Sequence, residues 1–322
     1  MTDHDTGDLA DRVAGALWHP DARRLLGDLE ESHPHHLLVA ATRAAASRPV
    51  WDTGIEGSLG LVTGSGGTQV RLPHVSTMAA FVASCVPGVR VVKAGSANSR
   101  CKDEGSARCA RALGMPVARD PRHLTAALDA HDFAVVDTRH VYPWLYTPGL
   151  LTFPFVVEAI SSVDFTPCPV TWKVNGITDT DPDRHRHRYT GTRDVRVMLV
   201  QGRTDRPGVV LDEATTTGTT VLITIGSGTH MRTHVVEPEQ VGLTRRSLED
   251  LVVAPRQDTV DNARTVLAGT ATRAHTDLVA LNAAVILVHA GAVPDLSTGC
   301  ARAADLLATG VPARRLAGMR AP

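Results

Sequence analysis

The sequence predicts an α/β fold, with a small helical domain at the N-terminus and a large α/β domain on a central, mostly parallel sheet. Three observations predict it. Two short apolar runs, residues 59–62 and 89–92, each open into a glycine-rich loop followed by a segment of helical character. That rhythm is the one of a βαβ unit. Ahead of them, leucine, valine and alanine recur at helical spacing in three short stripes. Toward the C-terminus, alanine-rich segments repeat the helical spacing and would close the sheet.

Each element has its own signal. Residues 1–6 are polar and expected to fray. Leu9, Val13 and Leu17 form one helical stripe ending near His19 and Pro20; Leu25, Leu26 and Leu29 form a second. Pro34 opens a third, with Leu37, Leu38, Ala41 and Ala45 on its inner face. These stripes make a small domain over residues 1–56, and the large domain runs over 57–322. In the latter, a strand at 59–62 leads through Gly64, Ser65, Gly66, Gly67 and Thr68 to a helix over 76–85. A strand at 89–92 leads through Lys93, Ala94, Gly95, Ser96, Ala97, Asn98 and Ser99 to a helix over 105–113. A helix over 122–131 and a buried strand, Phe133–Asp137, follow. Residues 140–149 hold two of the three tyrosines, and residues 153–162 have helical spacing. A strand over 196–200 precedes a hairpin, 221–225 with 231–236, turning at Gly226, Ser227 and Gly228. Helices over 258–267, 277–289 and 301–307 end the series.

Loops that follow parallel strands gather at the carboxyl edge of a sheet, where ligands of open α/β folds bind. Two glycine-rich loops within one βαβ unit place free backbone N–H groups, two helix N-termini and Lys93 at one rim, with Lys102 close by in sequence. That set suits a polyanion such as phosphate or pyrophosphate. A single loop of this kind often binds nothing; the pairing is what points to a ligand.

These residues resemble the anthranilate phosphoribosyltransferase family and its relatives, the pyrimidine nucleoside phosphorylases. The first loop and the following His74, Val75, Ser76 and Thr77 match the family's glycine-rich turn and helix start. Lys93 and Gly95, then Gly105 and Ser106 ahead of Ala112-Leu113-Gly114, match its second loop. Leu211-Asp212-Glu213 matches its acidic segment, and Val236-Glu237-Pro238-Glu239 and Leu281-Asn282-Ala283-Ala284 follow in family order. The resemblance implies a large domain of the nucleoside phosphorylase and phosphoribosyltransferase type, with residues near 140–165 hinging against the helical domain. It implies a Mg²⁺-dependent pentosyltransferase that moves phosphoribosyl from its diphosphate to a small planar aromatic or heterocyclic acceptor. Gly64 through Thr68, Ser76, Thr77, Lys93, Gly95, Ser96, Asn98, Ser99, Lys102, Gly105 and Ser106 would bind the donor. Asp212, Glu213 and Ser76 would hold Mg²⁺, and His140, Tyr142 and Tyr146 would line the acceptor pocket. No covalent nucleophile is expected. A homodimer through the helical domain is implied as well.

Departures leave alternatives open. Thr68 stands for an aspartate, Ala94 for a histidine and His74 for an asparagine, and the arginines that read the acceptor in the family lack counterparts. The aromatic residues of 140–149 could equally pack a seam between domains. A nucleoside phosphorylase, or a non-catalytic relative that binds nucleic acid, is the alternative. The near balance of 33 Lys+Arg with 34 Asp+Glu counts against nucleic acid. Five cysteines without a CxxC pair suit free thiols and a cytoplasmic enzyme. The sequence holds no signal-peptide pattern and no apolar run long enough to cross a membrane. Two histidine-rich tracts lack acidic or cysteine partners at ligand spacing: His35 and His36 point to different helix faces, and 184–188 reads as a solvated loop that could touch a phosphate or a carboxylate.

Overall fold

Parallel strands form the middle of the sheet and antiparallel ones finish one side. The computed structural model describes residues 3–46, 50–65, 68, 70–97, 104–160, 165–179, 195–226, 231–255 and 257–319. They fall into two compact units. Described residues up to Asp52 and from Thr138 to Pro169 make one; those from Thr53 to Asp137 and from Val170 onward make the other.

The first unit is helical. It contains α1 (Asp3–Leu17), α2 (Ala22–Ser32), α3 (His35–Ala46), α7 (Thr138–Val141) and α8 (Pro154–Ile160). Leu9, Val13 and Leu17 are buried at the spacing expected of one helix face. Leu26 of α2 and Leu38 of α3 are buried with them, and α3 packs on both α1 and α8. Pro154 opens α8 at a position where its missing N–H costs nothing. Tyr142, Trp144 and Phe165 form an aromatic cluster, with Tyr142 and Phe165 edge-on at 5.1 Å between centroids.

The second unit is the α/β layer. Its first half alternates β1 (Gly60–Thr63), α4 (Val75–Ala83), β2 (Val91–Gly95), α5 (Ser106–Leu113), β3 (Val117–Ala118), α6 (Pro121–His131) and β4 (Phe133–Asp137). Then come β5 (Trp172–Gly176), β6 (Arg196–Arg203), β7 (Val210–Leu211), β8 (Thr219–Ile225) and β9 (Met231–Val236). Across the sheet the order is β3-β4-β2-β1-β5-β6-β8-β9, with β7 paired to β6. Helices α9 (Leu248–Leu251), α10 (Thr259–Leu267), α11 (Arg273–Ala290), α12 (Leu296–Ala308) and α13 (Val311–Gly318) follow. Every residue of β4 is buried, as its uninterrupted apolar run requires of a central parallel strand. Helix α11 is apolar nearly all round, and a helix of that kind is buried on every side. It packs against α4, β5 and α12 at the centre of the main core.

The α/β class and the mostly parallel sheet agree with the sequence reading. The hairpin at 221–236 is present as the antiparallel pair of β8 and β9. Strand β5 escaped the reading because Lys173 and Asn175 interrupt its apolar run. The two-residue strands β3 and β7 and the last helix, α13, were also not foreseen, and α11 begins earlier than 277.

Topology places the site. From β1 the chain moves to β2 on one side, while β5 pairs with β1 on the other. The direction of winding therefore reverses between β1 and β5, and such a switch point opens a crevice at the carboxyl ends of the strands.

Candidate functional site

The chain leaves β1 at Thr63 and enters the first glycine-rich turn directly at this switch point. The far end of that loop is fixed. Leu72 and Val75 are buried with Leu211, Leu251, Ala274 and Leu278 in a small apolar cluster. The Arg71 guanidinium donates to the Ala254 and Gln257 carbonyls at 2.7 and 2.9 Å. These contacts tie the loop to the segment that carries Leu211 and hence the acidic pair.

Asp212 meets the turn. Its Oδ2 accepts the Ser65 backbone N–H at 2.7 Å and the Ser65 hydroxyl at 2.9 Å. Its Oδ1 accepts the Thr68 hydroxyl, whose oxygen accepts the Asp212 backbone N–H at 3.1 Å. A carboxylate gathering three donors is held in one orientation. Asp212 and Glu213 are 7% and 8% exposed, so this is a buried acidic pair and not surface charge. Gly176 at the end of β5 makes room for it: a Cβ there would overlap the Asp212 carbonyl oxygen. From the other side, Asn282 of α11 donates to the Ala214 carbonyl and accepts the Ala214 N–H, both at 2.9 Å. The residues expected at two places in the sequence are thus joined at one. Gly176 and Asn282 were not expected in these roles, because only the folded chain brings them to the turn.

The second loop leaves β2, which neighbours β1 in parallel register, so both loops leave the same sheet edge. Lys93 is buried and its ammonium donates to the Ala94 carbonyl at 2.7 Å. Gly95 lies against the Ser106 hydroxyl so closely that a Cβ would overlap it, with Lys93 Nζ near the same point. Ser96 and Gly105 belong to the staple that returns the chain to the helix: Gly105 N–H donates to Ala97 O at 2.7 Å and Ala107 N–H to Ser96 O at 3.1 Å. Gly105 is the N-cap of α5. Gly66, Gly67, Asn98, Ser99 and Lys102, and the tract 184–188, lie outside the described residues.

Other expected residues fall differently. His74, not Ser76, occupies the N-cap of α4, and its ring bonds the Thr259 hydroxyl at 3.2 Å. Ser76 is half-buried in the first turn of that helix, and the Thr77 hydroxyl is buried without a hydrogen-bond partner among the described residues. In the helical unit, His140 and Tyr146 are exposed, and the Tyr146 hydroxyl meets the Thr138 hydroxyl at 2.8 Å. Tyr142 is 1% exposed, which gives its ring a packing role in the aromatic cluster. His35 pairs with Glu158 at 2.9 Å, and among the described residues no group of three or more His, Cys, Asp or Glu could hold a metal by itself. No helix of the described residues is long and apolar enough to cross a membrane.

Residues 193–313 match the family model described as glycosyl transferase family, a/b domain. The anthranilate phosphoribosyltransferase of Methylobacterium sp. (strain 4-46) is 30% identical over 318 residues, covering 95% of this chain and 87% of the relative. That of Moorella thermoacetica is 31% identical over 272 residues, covering 80% and 74%. Among solved structures, the anthranilate phosphoribosyltransferase of Thermus thermophilus is similar with a TM-score of 0.74 at 25% identity, over 99% of this chain and 94% of that one. The Saccharomyces cerevisiae enzyme in complex with PRPP and Mg shares the fold, with a TM-score of 0.69 at 18% identity over 98% and 92%.

Proposed function

The chain belongs to the anthranilate phosphoribosyltransferase family, and from that premise we propose that this phosphoribosyltransferase uses Mg²⁺ and moves phosphoribosyl from phosphoribosyl diphosphate to an anthranilate-like planar acceptor, releasing diphosphate. The observation that carries the reading is the union of the first glycine-rich turn with the acidic pair, through Ser65 and Thr68 on Asp212. It sits at the β1/β5 switch point, beside the loop that holds Lys93 and Ser106.

The acidic pair fits Mg²⁺. Two adjacent carboxylates are hard oxygen donors, and Mg²⁺ typically takes one or two carboxylates with substrate phosphates and water. When bound, the ion would supply positive charge against the diphosphate. The chain's own residues do the rest. The breaking C1–O bond leaves cationic character on the sugar and negative charge on the departing oxygen. Lys93 and backbone donors of the two turns would stabilise the negative charge that develops on the departing oxygen, and donors fixed beforehand do so best. Ser96 and Ser106 add hydroxyl donors to the same rim. No protein nucleophile is needed, since a positioned acceptor nitrogen can attack C1 directly. His140 and Tyr146, exposed in the helical unit, would meet the acceptor, whereas Tyr142 is taken up by the aromatic cluster. The same reading includes a homodimer through the helical domain and a cytoplasmic location.

Calorimetry and thermal shift test it. Phosphoribosyl diphosphate with Mg²⁺ is expected to bind and raise the Tm, and EDTA to abolish the effect. Stabilisation by orthophosphate with uridine alone would overturn the reading in favour of a nucleoside phosphorylase.

A further inference from the structure

We propose that Asn282 is a positioning residue for the acidic pair: its carboxamide locks the backbone that aims Glu213. The inference rests on the reading of Asp212 and Glu213 as the metal-holding residues. Asn282 sits in the middle of α11, where its neighbours Leu278, Val279, Ala280, Leu281, Ala283 and Ala284 are buried and apolar. Asparagine is a poor residue for a helix interior and costly to bury without partners. Here it has a full set of them. Oδ1 accepts the Ala214 N–H, while Nδ2 donates to the Ala214 and Leu278 carbonyls, each at 2.9 Å. The N–H of Ala214 must face an acceptor, so the orientation of the amide follows from the contact.

The geometry constrains more than one atom. Peptide units are planar. The Ala214 N–H belongs to the plane that begins at Glu213, and the Ala214 carbonyl belongs to the next plane. Gripping both fixes two consecutive planes that meet at the Ala214 Cα, and the first of them carries the Glu213 Cα, so the backbone from which the Glu213 side chain leaves is anchored on that side. Asp212 is held separately, by Ser65 and Thr68. The two carboxylates are thus supported from different elements, one from the glycine-rich turn and one, through the backbone of Ala214, from α11. Groups that orient metal ligands from behind are commonly worth 10- to 100-fold in metal affinity, by order of magnitude.

The test compares Asn282→Ala with His289→Ala. His289 lies on the same helix and bonds the Arg196 carbonyl at 2.9 Å, at the start of β6 and away from the acidic turn. Both variants lose a buried hydrogen bond and should lose thermal stability. Calorimetry of phosphoribosyl diphosphate is run across a Mg²⁺ titration. Asn282→Ala is expected to need about 10-fold more Mg²⁺ for half-maximal donor binding, and His289→Ala to match the wild type. Where the enzyme turns over, kcat at saturating Mg²⁺ should recover more fully than the apparent Mg²⁺ affinity. Asn282→Leu, which keeps the volume but can make none of the three bonds, serves if the alanine variant does not fold. An unchanged Mg²⁺ requirement in the Asn282 variants would overturn the inference, as would an equal shift in His289→Ala. Asp212→Asn with Glu213→Gln separates the two levels. If that double variant loses Mg²⁺-dependent binding while the Asn282 variants keep it, only the positioning role fails. If the double variant keeps it too, both the role and the metal assignment fail.

Discussion

Asp212 accepts hydrogen bonds from a backbone amide and two hydroxyls of the first turn, and this explains a departure noted in the sequence. A carboxylate at 68, as in the family's usual turn, would stand beside Asp212 as a like charge, whereas the Thr68 hydroxyl donates to it. Thr68 thus serves the acidic pair. Asp212→Asn with Glu213→Gln should lower Mg²⁺-dependent turnover by about 100-fold or more, measured as kcat/KM for phosphoribosyl diphosphate. Gly176→Ala should destabilise by roughly 1–3 kcal/mol, as overpacking does, because its Cβ would overlap the Asp212 carbonyl. Denaturant unfolding reads that loss, and an alanine as stable as wild type would refute the close approach. At this scale the sequence marks Lys93 and the turn residues as candidates by their local pattern after an apolar run, and Asp212 and Glu213 by such a run together with family order. It does not yield Gly176 or Asn282, whose partners lie 36 and 68 residues away along the chain (212 − 176 and 282 − 214). Tyr142 looks the same on paper as Tyr146, yet one is core and the other exposed.

Among the elements, α11 carries two histidines held neutral. Burial pushes His289 down to about 4, against a partly offsetting bond to the Arg196 carbonyl. His275 is lowered for the same reason, with its Nε2 on the Leu251 carbonyl and Asn262 donating to its Nδ1. In the unfolded chain these rings take a proton near pH 6.5, so below that pH the unfolded state binds more protons, down to about pH 4 in the case of His289. Stability is therefore intact above about pH 6.5 and falls as pH drops, by up to about 3 kcal/mol for His289 near pH 4. Urea unfolding at about pH 7 and about pH 5 should show the fall, and His289→Ala should flatten it. Strands whose apolar runs are unbroken, such as β4, are legible because parallel strands are buried on both faces. Strand β5 is not, because Lys173 and Asn175 are buried polar residues whose burial only tertiary structure can arrange.

For the whole molecule, a net charge of −1 leaves no field to hold a polyanionic strand. DNA–cellulose should not retain the protein at about 50 mM salt, where phosphate-contacting proteins bind tightly. Retention released steeply by salt would favour a nucleic-acid-binding relative. The α/β class was readable at this scale from the alternation of strand, loop and helix alone. The place of β5 beside β1, which creates the crevice, was not, since strand order depends on pairings no local pattern encodes.

One feature of the helical unit reaches back to the ribosome. Its first helices end by Ala46, but α8, on which α3 packs, is not made until after β4. The face of α3 that α8 covers must wait while the first four strands are translated. During that interval the nascent chain presents a sticky surface with no mate, the kind of patch that chaperones shield and that aggregates when they are scarce. A stop codon placed just after Asp137 should therefore send the truncated product to inclusion bodies.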